Sequence, residues 1–370
     1  MDVFSDRPGD EQALVKALAA RLGCAPAALW HVLPARSRRV LEGDRLARLD
    51  LPWGHNDDDL EALGRLQGDL TLGPSATLQG LTLGAEKLAS LTLAGLPSLA
   101  ALDLSCERLT SLDLGGCPAL EVLTWRGPTP GSVRHAPGAG ARYARVQHGD
   151  GGLARLLPPG DRLLSLDWSG DAGDGALSLS DYPRLVTLDM DDATLGALDL
   201  AGCAALLAVS LDDLRGLRSL TLPASVRSVT IEDLVDLEEL DVSACEALSD
   251  LDVTGCKRLK RLVCTPAQAT GVKGLQRKGL AGALVDAAPA VARATVAGSA
   301  AVPMPEPPAS DLGWRWGQWT EVTERWLDAR PEADTAGAAA RVRGALTALR
   351  ERVGQDVGFG VNLGVNGAGA

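Results

Sequence analysis

Aromatic side chains are scarce in this chain. Only 3% of its 370 residues are Phe, Tyr or Trp, with two Phe and two Tyr. A core built almost without rings has to be filled by aliphatic side chains, here overwhelmingly Leu with Ala and Val. Histidine is rare as well: His31, His55, His135 and His148 are the four present, and none stands in an H-E-x-x-H or similar metal-ligand spacing. There is no G-x-x-x-x-G-K-[ST] phosphate loop, no G-x-G-x-x-G on a strand-to-helix turn and no G-x-S-x-G elbow. Catalytic residues, metal ligands and cofactor sites are therefore all expected to be none, and the chain is expected not to be an enzyme.

Positive charge is also in short supply. Lys and Arg number 36 against 48 Asp and Glu, for a net charge of −12. An acidic surface repels phosphate backbones and anionic headgroups, so neither nucleic acid nor a membrane is an expected partner. No apolar run approaches the ~18 residues of a membrane-spanning helix. The N-terminus, MDVFSDRPGDEQ, lacks the basic and apolar parts of a secretory signal. The expectation is a cytoplasmic protein, with secretion by a route that needs no signal peptide left open. Seven Cys, an odd number with no C-x-x-C pair, argue against a disulfide framework.

What the chain does have is a repeat. The pattern L-x-x-L-x-L recurs as LASLTL (88–93), LAALDL (99–104), LTSLDL (109–114), LLSLDW (163–168), LVTLDM (185–190), LRSLTL (217–222), LEELDV (237–242) and LKRLVC (259–264). Its fourth position marks steps of 10 or 11 residues, or twice that, and alternate marks form two series. One runs Leu49, Leu70, Leu91, Leu112, Val133, Leu156, Leu177, Leu198, Leu220, Leu240, Leu262. The other runs Leu60, Leu81, Leu102, Leu123, Ala144, Leu166, Leu188, Val209, Val229, Leu251. The ruler passes through the unusual stretch 126–160 without a break, so Val133, Ala144 and Leu156 read as degenerate coils.

In L-x-L the two leucines face one side of a strand and the middle residue the other. One coil cannot bury its apolar side alone. Stacked coils make a continuous leucine core and a parallel backbone ladder. Two short strands per ~21-residue turn predict about ten flattened coils with parallel sheets on both faces.

LTSLDLGGCPALEVL and LEELDVSACEALSDLDVTGC resemble bacterial leucine-rich-repeat proteins of the short, 21-residue kind, over residues 46–265. The resemblance implies a leucine-rich-repeat solenoid and a binding scaffold. It also implies that Cys117, Cys203, Cys245 and Cys256, five residues past the ruler, and Cys106, four past it, are turn fillers bonded to loop backbone.

Residues 1–45 read as a helical N-terminal cap. DEQALVKALAARLG carries apolar residues at 14, 15, 18 and 22 and ends at Gly23, and PAALWHVL offers Trp30 and Leu33 as lid residues. Residues 266–310 are an Ala/Gly-rich region of open structure followed by a Pro-rich linker. Residues 311–356 read as a helical C-terminal extension bearing Trp314, Trp316, Trp319 and Trp326, and 357–370 as a flexible Gly-rich tail.

The outward positions of the second series include Asp103, Asp167, Asp189, Asp191, Asp212, Glu232 and Asp252. Stacked one turn apart they would form an acidic stripe, whose mutual repulsion invites a basic partner. With the four tryptophans they are the expected partner-binding residues. Arg126, Arg134, Arg145 and Arg155 interrupt the stripe as a second contact zone. The leading expectation is a non-enzymatic protein–protein interaction scaffold for a basic protein. The alternatives are a secreted effector or toxin-associated protein using the repeats for targeting, and a structural, self-associating protein. Oligomeric state is open.

Overall fold

The computed structural model describes residues 9–33, 38–42, 45–51, 63–150, 152–160, 162–172, 175–271 and 284–286. The chain winds as a β-solenoid. On one side lies a large sheet of 11 strands. Its members are β1 (Arg38–Glu42), β2 (Arg45–Leu51), β4 (Gly80–Gly84), β6 (Ala101–Ser105), β8 (Val122–Arg126), β10 (Tyr143–Asp150), β11 (Ser165–Asp171), β13 (Thr187–Thr194), β15 (Ala208–Arg215), β17 (Ser228–Glu232) and β19 (Asp250–Thr254). All pair in parallel except the β1–β2 hairpin. Among the described residues ten parallel strands delimit nine turns on this side.

The opposite, small side carries three shorter sheets. The first is β3 (Gln67–Leu72), β5 (Lys87–Leu93), β7 (Ser111–Leu114) and β9 (Ser132–His135). The second is β12 (Ala176–Ser178), β14 (Ala197–Asp199) and β16 (Ser219–Thr221). The third is β18 (Glu239–Asp241), β20 (Arg261–Cys264) and β21 (Leu284–Asp286). The last of these strands shows that the repeat runs one full turn beyond residue 265.

The ruler residues pair in register across the sheets: Leu81 with Leu102, Leu102 with Leu123, Leu188 with Val209, and Leu198 with Leu220. They are buried, Leu220 partly, with the residues two further on, giving an aliphatic column inside the coil. Each strand of the large sheet from β6 to β19 is entered through the same bulge. The carbonyl of Glu121 accepts from both Arg142 and Tyr143, that of Arg142 from Leu164 and Ser165, and that of Leu164 from Val186 and Thr187. The degenerate coil is filled by its neighbours. Ala144 and Val146 of β10 are small, and the rings of Trp125 and Trp168, one coil to either side, occupy the column at 0% and 1% exposure.

Three sequence expectations need correction. Leu49 does not belong with Leu70: it pairs with Leu81 in the large sheet, so the first half-turn is longer than the others, which a ruler of even steps could not detect. Its companion Leu60 lies outside the described residues. Leu156 is not a strand residue: α3 (Leu153–Leu156) replaces the small-side strand there. The cap of residues 1–45 is not wholly helical. α1 (Gly9–Leu22) and α2 (Leu29–Val32) are followed by β1, which pairs antiparallel along the first edge of the large sheet. An open parallel sheet leaves a row of unpaired backbone groups at that edge, and a hairpin covers it with chain already at hand.

α1 lays Leu14, Val15, Leu18, Ala19 and Leu22 over the open end of the leucine column. It ends at Gly23, whose φ of +68° is the left-handed turn that lets the chain reverse into Pro26. Trp30 is half-buried against the core and Leu33 is buried. Arg21 donates to the carbonyl of Asp69 on β3, tying the cap to the small side. Glu11, at 1% exposure, accepts from the backbone N–H of Leu46 at 3.0 Å and from the Thr77 hydroxyl at 3.1 Å.

Among the described residues no single helix is long and apolar enough to cross a membrane; α1 and the bent segment after it are the cap just described. After Cys264, Thr265 and Gln268 form a reciprocal cap on α4 (Pro266–Gly271), and the Gln268 amide donates to the carbonyls of Val242 and Cys245. Apart from α4 and β21, the linker within 266–310, the helices expected over 311–356 and the tail 357–370 lie outside the described residues.

Removing the Glu11 carboxylate leaves the Leu46 N–H buried without that acceptor, so Glu11→Ala should cost about 1–3 kcal/mol of unfolding free energy. Urea denaturation followed by circular dichroism checks this, and an unchanged midpoint would show that the cap is not held by this residue.

Candidate functional site

All seven acidic residues singled out from the sequence lie on the large sheet: Asp103 on β6, Asp167 on β11, Asp189 and Asp191 on β13, Asp212 on β15, Glu232 on β17 and Asp252 on β19. They do not form one stripe. Strand pairing sorts them into two rows. The row next to the ruler reads Asp50, Thr82, Asp103, Thr124, Arg145, Asp167, Asp189, Ser210, Thr230, Asp252. The row two residues further along the strands contains Asp191, Asp212 and Glu232 as consecutive neighbours, followed by Thr254.

The two halves of the face differ electrostatically. In the N-terminal half the acids are neutralised from within. Arg48 meets Asp50 at 2.7 Å, Arg126 meets Asp103 at 2.7 Å and Arg145 meets Asp167 at 2.6 Å. Thr82 also donates to Asp50, and Arg126 to Gln147, so a polar ladder crosses β2 to β11. The arginines read as a second contact zone are thus divided. Arg126 and Arg145 are the counter-charges of this face, Arg134 pairs with Asp113 on the small side, and Arg155 lies on α3. In the C-terminal half, Asp191, Asp212 and Glu232 have no basic side chain within ion-pair distance among the described residues. Asp191 and Glu232 are exposed and Asp212 is half-buried.

A second set of acids was not recognised from the sequence. Asp192, Asp213 and Asp233 follow Asp191, Asp212 and Glu232 and adopt φ of +46°, +44° and +49°. Glycine fills the same place in the β8 and β19 coils, at Gly127 and Gly255. Asp tolerates the left-handed region better than most side chains, so these carboxylates turn the chain. Arg215 bridges two of them, at 3.1 Å from Asp192 and 3.0 Å from Asp213. The signal was present in the sequence as Asp or Gly recurring four residues past the ruler.

Burial pushes the Asp103 carboxyl above its ordinary value, and the Arg126 guanidinium beside it offsets this only in part. The folded protein therefore holds that proton more tightly than the unfolded chain does. The stability this group contributes is present below the ordinary Asp value and is lost as pH rises through the folded one.

The thiols occupy the turns. Cys117, Cys203 and Cys245 donate to the carbonyls of Leu93, Leu179 and Pro223 in the preceding coil, at 3.9, 3.0 and 3.5 Å. Tyr182 donates to the Leu157 carbonyl, and Gln268 takes the same part at the last turn. Cys106 is buried, whereas Cys256 is half-buried and bonds within its own turn. Burial pushes the thiols of Cys106, Cys117, Cys203 and Cys245 up to about 12, which leaves them as packing groups rather than nucleophiles. Among the described residues no group of three or more His, Cys, Asp or Glu is arranged to hold a metal ion. Trp314, Trp316, Trp319 and Trp326 lie outside the described residues.

Parallel sheets on both faces, in-register leucines and ~21-residue turns define the class of fold, a leucine-rich-repeat solenoid. No protein-family model matches the chain, and no curated protein matches it. Among solved structures it is similar to the functional domain of InlJ from Listeria monocytogenes, which includes a cysteine ladder. The identity is 16% over 70% of this chain and 62% of that one, with a TM-score of 0.29. It is similar also to TLR13 in its complex with ssRNA13, at 15% identity over 60% of this chain and 44% of that one, with a TM-score of 0.27. A third is a leucine-rich repeat protein from Eubacterium ventriosum, at 10% identity over 61% and 94%, with a TM-score of 0.15. The chain spans less than two-thirds of the length of the first two.

Two outcomes follow. Ellman's reagent at neutral to mildly alkaline pH should spare the five buried thiols, Cys106, Cys117, Cys203, Cys245 and Cys264, until guanidinium unfolds the chain; rapid reaction of any of them in the native state would contradict the turn-filling role. Carboxyl-detected NMR should find Asp103 titrating above 3.8, and higher still in Arg126→Ala. A native value below 3.8 would show that the ion pair outweighs desolvation.

Proposed function

We propose that this protein is a non-enzymatic interaction scaffold that seats a basic segment of another protein on the C-terminal half of its large sheet. One observation carries the reading: Asp212 is flanked in register by Asp191 and Glu232, and none of the three has an internal counter-charge among the described residues. Neighbouring parallel strands are about 4.8 Å apart. Like charges at that spacing repel by roughly 1 kcal/mol per pair even at the dielectric of water. A cationic side chain laid across the row removes that repulsion and gains its own attraction. The N-terminal half of the same face, already paired, offers no such gain. The backbone beneath is a rigid in-register ladder, so the carboxylates are held in place before the partner arrives.

The test uses a synthetic lysine-rich peptide of about 20 residues and isothermal titration calorimetry. Binding at low salt should weaken steeply as salt shortens the Debye length from about 30 Å to about 8 Å. The Asp191→Asn, Asp212→Asn, Glu232→Gln variant should lose about tenfold or more in affinity, roughly 1.4 kcal/mol. Asp103→Asn with Asp167→Asn should change it little. Equal losses from the two variants, or no measurable binding to the native chain, would overturn the proposal.

A further inference from the structure

The small-side ladder is broken twice, between β9 and β12 and between β16 and β18, and at the first break, where a helix stands in place of a strand, several independent irregularities meet. On the small side the ladder β3–β5–β7–β9 stops, α3 takes the next place, and strands resume only at β12. Among the described residues no backbone hydrogen bond joins 128–141 to 152–160. Beyond the packing of Leu153, Leu156 and Leu157 in the core, two exposed side-chain hydrogen bonds cross this gap among the described residues. A ring nitrogen of His135 donates to the Arg155 carbonyl at 3.1 Å, and the Arg162 guanidinium donates to the Gly138 carbonyl at 2.6 Å. On its other side α3 is attached more firmly. Gly160 donates its N–H to the Asp181 carbonyl at 3.1 Å, and the buried Tyr182 hydroxyl donates to the Leu157 carbonyl at 2.6 Å.

The large sheet runs through the same coil without interruption, because β10 pairs with both β8 and β11. It does so irregularly. The register slips between Val146 and Gly149 on β10 and between Trp168 and Gly170 on β11. There the two backbones approach so closely that a Cβ on Gly170 would lie 2.1 Å from the Gly149 carbonyl oxygen. The Tyr143 hydroxyl and the Trp168 indole N–H are buried here without hydrogen-bond partners.

We infer that this coil is a joint. The block ending at β9 and the block beginning at α3 pivot about the continuous large sheet, and the small side opens between them. A stack held by ladders on both sides resists bending as two rails do. Cutting one rail leaves the other as a leaf about which the halves turn. The slipped register and the unpaired polar groups loosen the packing of this coil, which lowers the resistance to such a motion. Asp191, Asp212 and Glu232 all ride on the second block, so the pivot re-aims that row relative to the neutralised half of the face. The inference rests on the ladder alone and holds whether or not a basic segment binds.

The experiment is pulsed electron–electron resonance on the full chain, with Cys24 and Cys256 replaced by Ala. One label pair sits on the small side, at Ala89→Cys and Arg218→Cys, and the other on the large face, at Ser105→Cys and Glu232→Cys. Each pair spans six coils, about 29 Å at the ~4.8 Å strand spacing. A joint gives a broad or two-peaked distribution on the small side and a narrow one on the large face, and adding His135→Ala with Arg162→Ala broadens only the former. Equal narrow widths from both pairs, or a small-side distribution unmoved by the double variant, would sink the inference. Hydrogen exchange on the unsubstituted chain is the check that depends on no variant folding. Residues 132–135 and 153–156 should exchange at least about tenfold faster than 111–114 and 197–199, and equal protection would overturn it.

Discussion

The in-register parallel ladder governs this molecule, because a single ~21-residue coil has neither enough apolar surface to bury nor backbone partners of its own. Every other feature is an accommodation to it. The leucine that starts each strand pair has to recur at the same height in the next coil, so the sequence is periodic. Each strand of the large sheet from β6 to β19 enters through the same two-donor bulge because each must leave the same turn. The two ends of the stack are where the constraint fails. At the first end the chain supplies α1 for the open leucine column, β1 for the open edge and Glu11 for the stranded N–H of Leu46. At the last described turns, Gln268 supplies donors to carbonyls that a further thiol would otherwise have met.

The same constraint makes acidic residues serve three ends that composition alone cannot separate. On the large sheet an outward side chain has two lateral neighbours, the residues one coil before and one coil after it. Asp103 has Arg126 one coil on, and Asp167 has Arg145 one coil back. Asp192, Asp213 and Asp233 are spent on backbone geometry, adopting the left-handed conformation that closes the strand. Asp191, Asp212 and Glu232 stand together in one row without a counter-charge among the described residues.

Much of this was legible in the sequence because it is written at a fixed spacing. The leucine ruler located the strands of both faces, and the resemblance to leucine-rich repeats implied the turn role of the thiols at a fixed offset from it. The failures are equally physical. Leu49 was placed in the wrong series because even steps were assumed through a half-turn that is longer than the others. Leu156 fits the spacing but not the structure, since a leucine in a short helix can fill the same column as one in a strand. Trp125 and Trp168 were not singled out by the spacing. Their role, filling the space left by Ala144 and Val146, appears only when adjacent coils are superimposed. The acids were read as one stripe because they were counted along the chain. Comparing each with the residue about one period away would have paired Asp103 with Arg126 and isolated Asp212.

Among the described residues the ladder itself leaves the row of Asp191, Asp212 and Glu232 without a cation. Within a parallel ladder a side chain can be satisfied along its own strand or across to the coil on either side. Asp212 has acids on both sides, at Asp191 and Glu232, and the next residue along its strand is Asp213, whose carboxylate is held by Arg215. Sequence changes elsewhere in the sheet do not reach it, because the register fixes its neighbours. Among the described residues no cation reaches Asp212, so under the proposed reading its counter-charge comes from solution, as mobile ions or as the side chains of a partner. A partner has the advantage that one segment can span all three carboxylates at the spacing the strands impose.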